Sequence, residues 1–200
     1  MRIILASGSP RRTQLLKDAG IEHEILVSDV DETCETADPA LAAEEIAARK
    51  AEAVSDMLPP GEDCLIIAAD TSVILGGEVM GKPRSEGEAM NMLHKLQGKS
   101  HRVITGVSLI LKEDGQPPVR DTFHEVTTVY VRAMNTPEIL EYVATGEPMD
   151  KAGAYAIQGI FSANIDHIEG DYNNVVGLPV DSLTEHMYKL LKKEMMDDVR

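Results

Sequence analysis

Cysteine is scarce in this chain: Cys34 and Cys64 are the only two. They form no Cys-x-x-Cys pair and stand near no histidine. Two reduced thiols are expected rather than a disulfide or zinc framework. Histidine offers no metal motif either. His23, His94, His101, His124, His167 and His186 are scattered, and no two lie three or four residues apart on a common helix face. No run approaches the ~20 apolar residues of a membrane span. The apolar start, Met1 to Ala6, is cut short by Ser7-Gly8-Ser9-Pro10 and is too brief for a secretory signal. A cytoplasmic protein without a membrane partner is therefore expected. Basic residues are also few, 19 against 34 acidic, for a net charge of −15. A field of that sign repels nucleic acid. It leaves room for a small anionic ligand held by a local group of cations.

What is present reads as one domain over residues 1–200, with no repeat or linker. Residues 2–6 suit a short buried strand. Ser9-Pro10 then opens a helix, with serine at the cap and proline in the first turn. A second strand is expected at 25–27 and an acidic loop at 29–38. Asp38-Pro39 starts a helix to about Met57, in which Glu45 precedes Arg49 by four residues. Cys64 to Leu75 is a β-run, turned by Gly76-Gly77 into a short partner at 78–80. Ser85 and Glu88 form a capping box for a helix to Leu96. Two long strands, about 102–112 and 119–132, precede a short helix begun by Asn135-Thr136-Pro137. A β-leaning, glycine-rich stretch is expected at 152–170, and a last helix at about 180–196. Strands alternate with helices and then cluster, which predicts a mixed α/β sheet rather than a doubly wound fold.

Five segments carry possible chemistry. Ser7-Gly8-Ser9-Pro10-Arg11-Arg12 follows a strand and starts a helix, where unpaired N–H groups, hydroxyls and guanidiniums suit phosphate. A plain capped helix fits these residues equally well. Asp70, in Ala69-Asp70-Thr71 at the end of an apolar strand, is placed to hold a metal or activate water. Gly81-Lys82-Pro83 nearly completes a P-loop with Gly76, but Pro83 stands where the magnesium-binding hydroxyl belongs. That reading is rejected, although Lys82 still offers a cation. Asp150-Lys151-Ala152-Gly153 leads to Gln158-Gly159. Its small residues admit a ligand, Lys151 can meet phosphate, and the Gln158 amide can read a base edge. Gly170 to Pro179 suits an ordering role at the entry to the last helix. Asp31-Glu32 can share a hard cation with Asp70.

These motifs occur in one order, joined by Thr105-Gly106-Val107 and Val176-Gly177-Leu178-Pro179, and over nearly the whole chain the set resembles the Maf family of nucleotide pyrophosphatases. The resemblance implies a fold like that of the inosine triphosphate pyrophosphatases: a long, bent mixed sheet flanked by helices in two lobes, with the site in the cleft. It implies hydrolysis of a nucleoside triphosphate to monophosphate and pyrophosphate with a divalent cation, and a homodimer. The proton acceptor of the Ala-Asp-Thr motif falls on Asp70. The positions that separate the branches by base hold Arg12, Thr71 and Gln158, as in the dTTP/UTP branch. The 7-methyl-GTP branch carries other residue types there.

The expected mechanism follows. Arg11, Arg12, Lys50, Lys82 and Lys151 neutralise the triphosphate, and Ser7 and Ser9 hold its oxygens. Magnesium, or manganese, lies between Glu32, Asp70 and substrate. Asp70 deprotonates the water that attacks the α-phosphorus, with Lys82 as the second catalytic group. CTP and modified pyrimidine nucleotides are further substrates to weigh. A nucleotide-binding regulator of septum formation or cell division, with incidental hydrolysis, is the alternative of another class.

Overall fold

The structure is a computed structural model that describes residues 1–197, with side chains to residue 192. Its sheet has seven strands. β1 (Arg2–Leu5), β2 (Glu24–Ile25), β3 (Cys64–Leu75), β5 (Ser100–Lys112), β6 (Val119–Val131) and β7 (Ile165–Glu169) lie in the order β2-β1-β3-β5-β6-β7, and β4 (Glu78–Met80) pairs with β3. β1 is parallel to both β2 and β3, whereas β3–β4 and β6–β7 are antiparallel, so the sheet is mixed. The flanking helices are α1 (Pro10–Asp18), α2 (Pro39–Met57), α3 (Glu86–Leu96), α4 (Thr136–Ala144), α5 (Tyr172–Val176) and α6 (Val180–Asp197). The mixed α/β sheet expected from the sequence is thus observed. None of the described helices is long and apolar enough to cross a membrane.

The chain forms two compact units. Among the described residues the first comprises 1–70, 105–125 and 177–197. Its sheet rests on β1 and β3, with Arg2 opposite Cys64 and Leu5 opposite Ile67. β3 is fully buried from Cys64 to Ala69, as a strand covered on both faces should be. Alternation points Cys64, Ile66 and Ala68 to one face, where they pack with Ile4, Ala6 and Ile110 against Ala51 and Val54 of α2. Helix α2 buries Ala43, Ile46, Ala47, Ala51 and Val54 at helical spacing, and small residues let it lie close to the sheet. At Gly106 of β5 an added Cβ would lie 2.3–2.4 Å from the backbone of Ala43 and Glu44, so only glycine admits the helix there.

The second unit comprises residues 71–104 and 126–176. The β3–β4 hairpin pairs Val73 with Met80 around Gly76-Gly77, both at positive φ. Helix α3 buries Ala89, Leu93 and Leu96, and α4 buries Ile139, Tyr142 and Val143. A full capping box starts α4: the Asn135 side chain accepts the Glu138 N–H at 2.9 Å, and the Glu138 carboxylate accepts the Asn135 N–H at 2.7 Å. At α3 the expected box is only half made. Ser85 Oγ accepts the Glu88 N–H, but the Glu88 carboxylate turns to the N–H of Arg84.

Two expectations are corrected. The second strand is only Glu24–Ile25, not 25–27. The stretch 152–170 is not β-rich until Ile165. Before that it runs through 3-10 turns at Ala152–Ala154 and Ile160–Asn164, after another at Glu147–Asp150. Gly153 and Ala154 have φ of 69° and 60°, values that no strand holds.

Within this unit His101 is 3% exposed, and its Nε2 lies 2.7 Å from the Tyr155 hydroxyl. Burial lowers its pKa from 6.5 to about 4. The imidazole is therefore neutral when folded, and the unfolded chain binds a proton more readily between those values. Stability from this group is complete above pH 6.5 and falls as the pH drops toward 4, by about 3 kcal/mol at most. Urea unfolding at pH 7 and pH 4.5 should show that loss, and His101→Gln should lack its share of the slope.

Candidate active site

The first unit holds seven of the site residues singled out above: Ser7, Ser9, Arg11, Arg12, Glu32, Lys50 and Asp70. β1 ends at Leu5, and the Ala6 N–H still donates to Ile67 O at 2.8 Å. The Ser7–Ser9 loop thus leaves the carboxyl end of β1, and Asp70 lies on β3 three residues beyond Ile67, the partner of Leu5. Ser9 occupies the α1 cap position with extended backbone, but its side chain makes no capping bond. Ser7 precedes it by two residues. Its buried Oγ accepts the Ser9 N–H at 3.3 Å and Arg12 Nη1–H at 3.0 Å. Arg12 Nε also donates to Gly177 O at 2.8 Å. The Arg12 pKa is lowered by burial. Asp70 opposes that shift, Arg11 adds to it, and Glu32 opposes it. Arg12 thus feels both carboxylates, and its guanidinium is held where an anion would regain for it the solvation that burial removes.

Lys50 joins those carboxylates. Its Nζ lies 2.7 Å from Glu32 Oε1 and 2.8 Å from Asp70 Oδ1. The pairing follows from the packing. Asp70 continues the β3 face of Cys64, Ile66 and Ala68, and Lys50 lies on α2 one residue before Ala51, so the ion pair caps the apolar contact. The side chains of Lys50 and Asp70 are only 13% and 15% exposed, so their attraction is screened far less than that of a surface pair.

Arg49 carries a role that the sequence reading missed. It does pair with Glu45, at 3.7 Å. Its closer contacts are backbone: Nη1 and Nη2 donate to the carbonyls of Asp31 and Thr33, each at 2.7 Å. Adjacent residues of α2 therefore hold Glu32, Arg49 by the chain on either side and Lys50 by the carboxylate. Asp31 does not join the group, because its oxygens accept the N–H and hydroxyl of Thr33.

Thr71, Lys82, Lys151 and Gln158 belong to the second unit. Thr71 is half-buried on β3. Lys82 is exposed just after β4, where Gly81 O accepts the Gly153 N–H at 3.1 Å. That bond ties the lysine segment to the Asp150–Gly153 segment. Gly153 packs so closely on Val73 that an added Cβ would lie 2.9 Å from it. Lys151 is paired with Asp150. Gln158 is exposed in a turn closed by the Gly159 N–H donating to Ala156 O.

The chemistry of this arrangement is specific. The first unit offers a helix start, guanidiniums and hydroxyls for an anion, beside two neighbouring carboxylates. A divalent cation of the magnesium type takes one or two carboxylates and completes its shell with water and phosphate oxygens. Glu32 and Asp70 fit that donor set. Among the described residues no group of three or more His, Cys, Asp or Glu stands ready to hold a metal.

The chain is similar to known proteins over nearly its whole length. Curated relatives named dTTP/UTP pyrophosphatase include one from Desulforamulus reducens, 49% identical over 92% of this chain and 93% of its own. Another, from Pelotomaculum thermopropionicum, is 48% identical over 94% and 95%. A third, from Geobacillus sp., is 46% identical over 94% and 98%. Among solved structures, the Ham1 protein of Staphylococcus aureus is similar over 66% of this chain and 72% of its own, at 20% identity and a TM-score of 0.45. No assignment rests on that likeness. The family model described as Maf-like protein matches residues 2–190, and the chain belongs to the Maf family.

Proposed function

We propose that this chain is a nucleoside-triphosphate pyrophosphatase that hydrolyses dTTP and UTP, in the cytoplasm, to the monophosphate and pyrophosphate. The observation that carries the reading is the cluster in the first unit: Arg12 and the α1 start beside Glu32 and Asp70, both held by Lys50. It is the equipment for polyphosphate hydrolysis, in a chain 49% identical to a protein named for that activity.

Ser7, Ser9, Arg11 and Arg12 bind phosphate oxygens, and Lys50 sets the orientation of Asp70. Asp70 takes a proton from water, and the hydroxide oxygen forms its bond to the α-phosphorus as the bond to the β-phosphate bridging oxygen breaks. Pyrophosphate leaves with the electron pair. Lys82 and Lys151 are assigned to the phosphates, and Thr71 and Gln158 with Arg12 to base choice, on the motif pattern and on the relatives' names. Magnesium or manganese, held by Glu32 and Asp70, would neutralise charge on the phosphates.

The Gln158 amide can accept from N3–H and donate to a carbonyl of thymine or uracil, whereas a carboxylate suits the donor-rich edge of guanine. Turnover of dTTP, UTP, CTP, GTP and 7-methyl-GTP tests the reading. dTTP and UTP are expected to lead, and Gln158→Glu should erode that lead. Preference for 7-methyl-GTP would overturn the base assignment. Stoichiometric dTTP binding without pyrophosphate release would instead support a nucleotide-binding regulator.

A further inference from the structure

An exposed amide reads a base edge well only if its loop is fixed before the base arrives. The Gln158 turn is fixed from both flanks. On the far side Glu147 accepts the N–H of Ile160 at 2.8 Å and of Phe161 at 3.3 Å. Its Oε1 also accepts the Tyr142 O–H at 2.9 Å. On the near side the buried Tyr155 hydroxyl meets His101 Nε2 at 2.7 Å. Tyr142 is 3% exposed, and burial with Glu147 as its acceptor raises the phenol pKa, so it remains a donor. Its ring packs on Phe161 at 5.0 Å.

Gly159 completes the arrangement. An added Cβ there would lie 2.3–2.4 Å from the Glu147 carboxyl atoms, although its φ of −98° suits any residue. Glycine is present to admit the carboxylate, not to allow an unusual backbone. A carboxylate serving stability alone could take donors anywhere. Both backbone donors to Glu147 follow Gln158 by two or three residues, and its third donor, Tyr142, packs on Phe161.

We infer that Glu147 is a positioning residue that sets base selectivity, by holding the turn that presents Gln158. This rests on Gln158 reading the base. The test is kcat/KM for dTTP and for GTP in Glu147→Ala, Gln158→Ala and the double variant, with amide exchange at Ile160 and Phe161 measured on the intact protein. In Glu147→Ala the dTTP value should fall by about 10-fold or more, mostly through KM, and the GTP value by less than about 2-fold. The two amides should exchange faster, and the double variant should lose no more preference than Gln158→Ala alone. Equal losses for both nucleotides, or an unchanged ratio, would overturn the inference. If Glu147→Ala does not fold, Gly159→Ala displaces the same carboxylate without removing it. Glu147→Gln keeps one acceptor oxygen and should retain an intermediate preference. Gln158→Ala separates the two claims. If it leaves the preference intact, base reading by Gln158 fails and the inference falls with it. If it abolishes the preference while Glu147→Ala does not, only the role of Glu147 fails.

Discussion

Asp70→Asn is expected to lower dTTP turnover by about 10²–10⁴-fold, the share that a positioned general base supplies. The protein should remain folded. Asparagine has the shape of aspartate, and its amide oxygen can still accept from Lys50. Lys50 also keeps Glu32, 2.7 Å away, so no buried ammonium is left unpaired. The apolar face that Asp70 terminates, Cys64, Ile66 and Ala68 against Ala51 and Val54, is untouched. What is lost is a carboxylate able to take a proton as water attacks phosphorus. Single-turnover rates with thermal unfolding of the same preparation separate the two effects. A folded Asp70→Asn enzyme with near-normal turnover would show that the base lies elsewhere.

Lys82→Ala should cost about 10²–10³-fold in kcat, the range for removing one preorganised electrostatic contact to developing charge. Lys82 is exposed, so its charge is not spent on burial. Its backbone is held by the bond between Gly81 and Gly153, which the substitution leaves in place. A surface change of this kind alters stability by no more than ~0.5 kcal/mol. A large rate loss in an equally stable protein therefore assigns Lys82 to the phosphates. An unaltered rate would take the lysine out of the chemistry.

Elements with local start signals were legible in the sequence. Ser9-Pro10, Asp38-Pro39, Ser85 and Asn135-Thr136-Pro137 each precede an observed helix, because capping and proline geometry act within one turn. The glycine pair at 76–77 likewise marked its hairpin. The 152–170 stretch was misread because no local period governs it. Its path is set by distant partners: Val73 under Gly153, His101 on Tyr155, and Glu147 on Ile160 and Phe161. The same holds at the site. Asp70 stood out at the end of an apolar run. Its link to Lys50, twenty residues earlier, depends on how α2 lies against β3. Arg49 read as half of a helical ion pair with Glu45. Nothing local showed that it would fasten the chain on both sides of Glu32.

Hydrolysis of dTTP in ¹⁸O-labelled water, followed by phosphorus NMR, tests the central claim most directly. Attack at the α-phosphorus by water that Asp70 has deprotonated yields labelled dTMP and unlabelled pyrophosphate. Label in pyrophosphate, release of orthophosphate with dTDP, or tight binding with no turnover would contradict it.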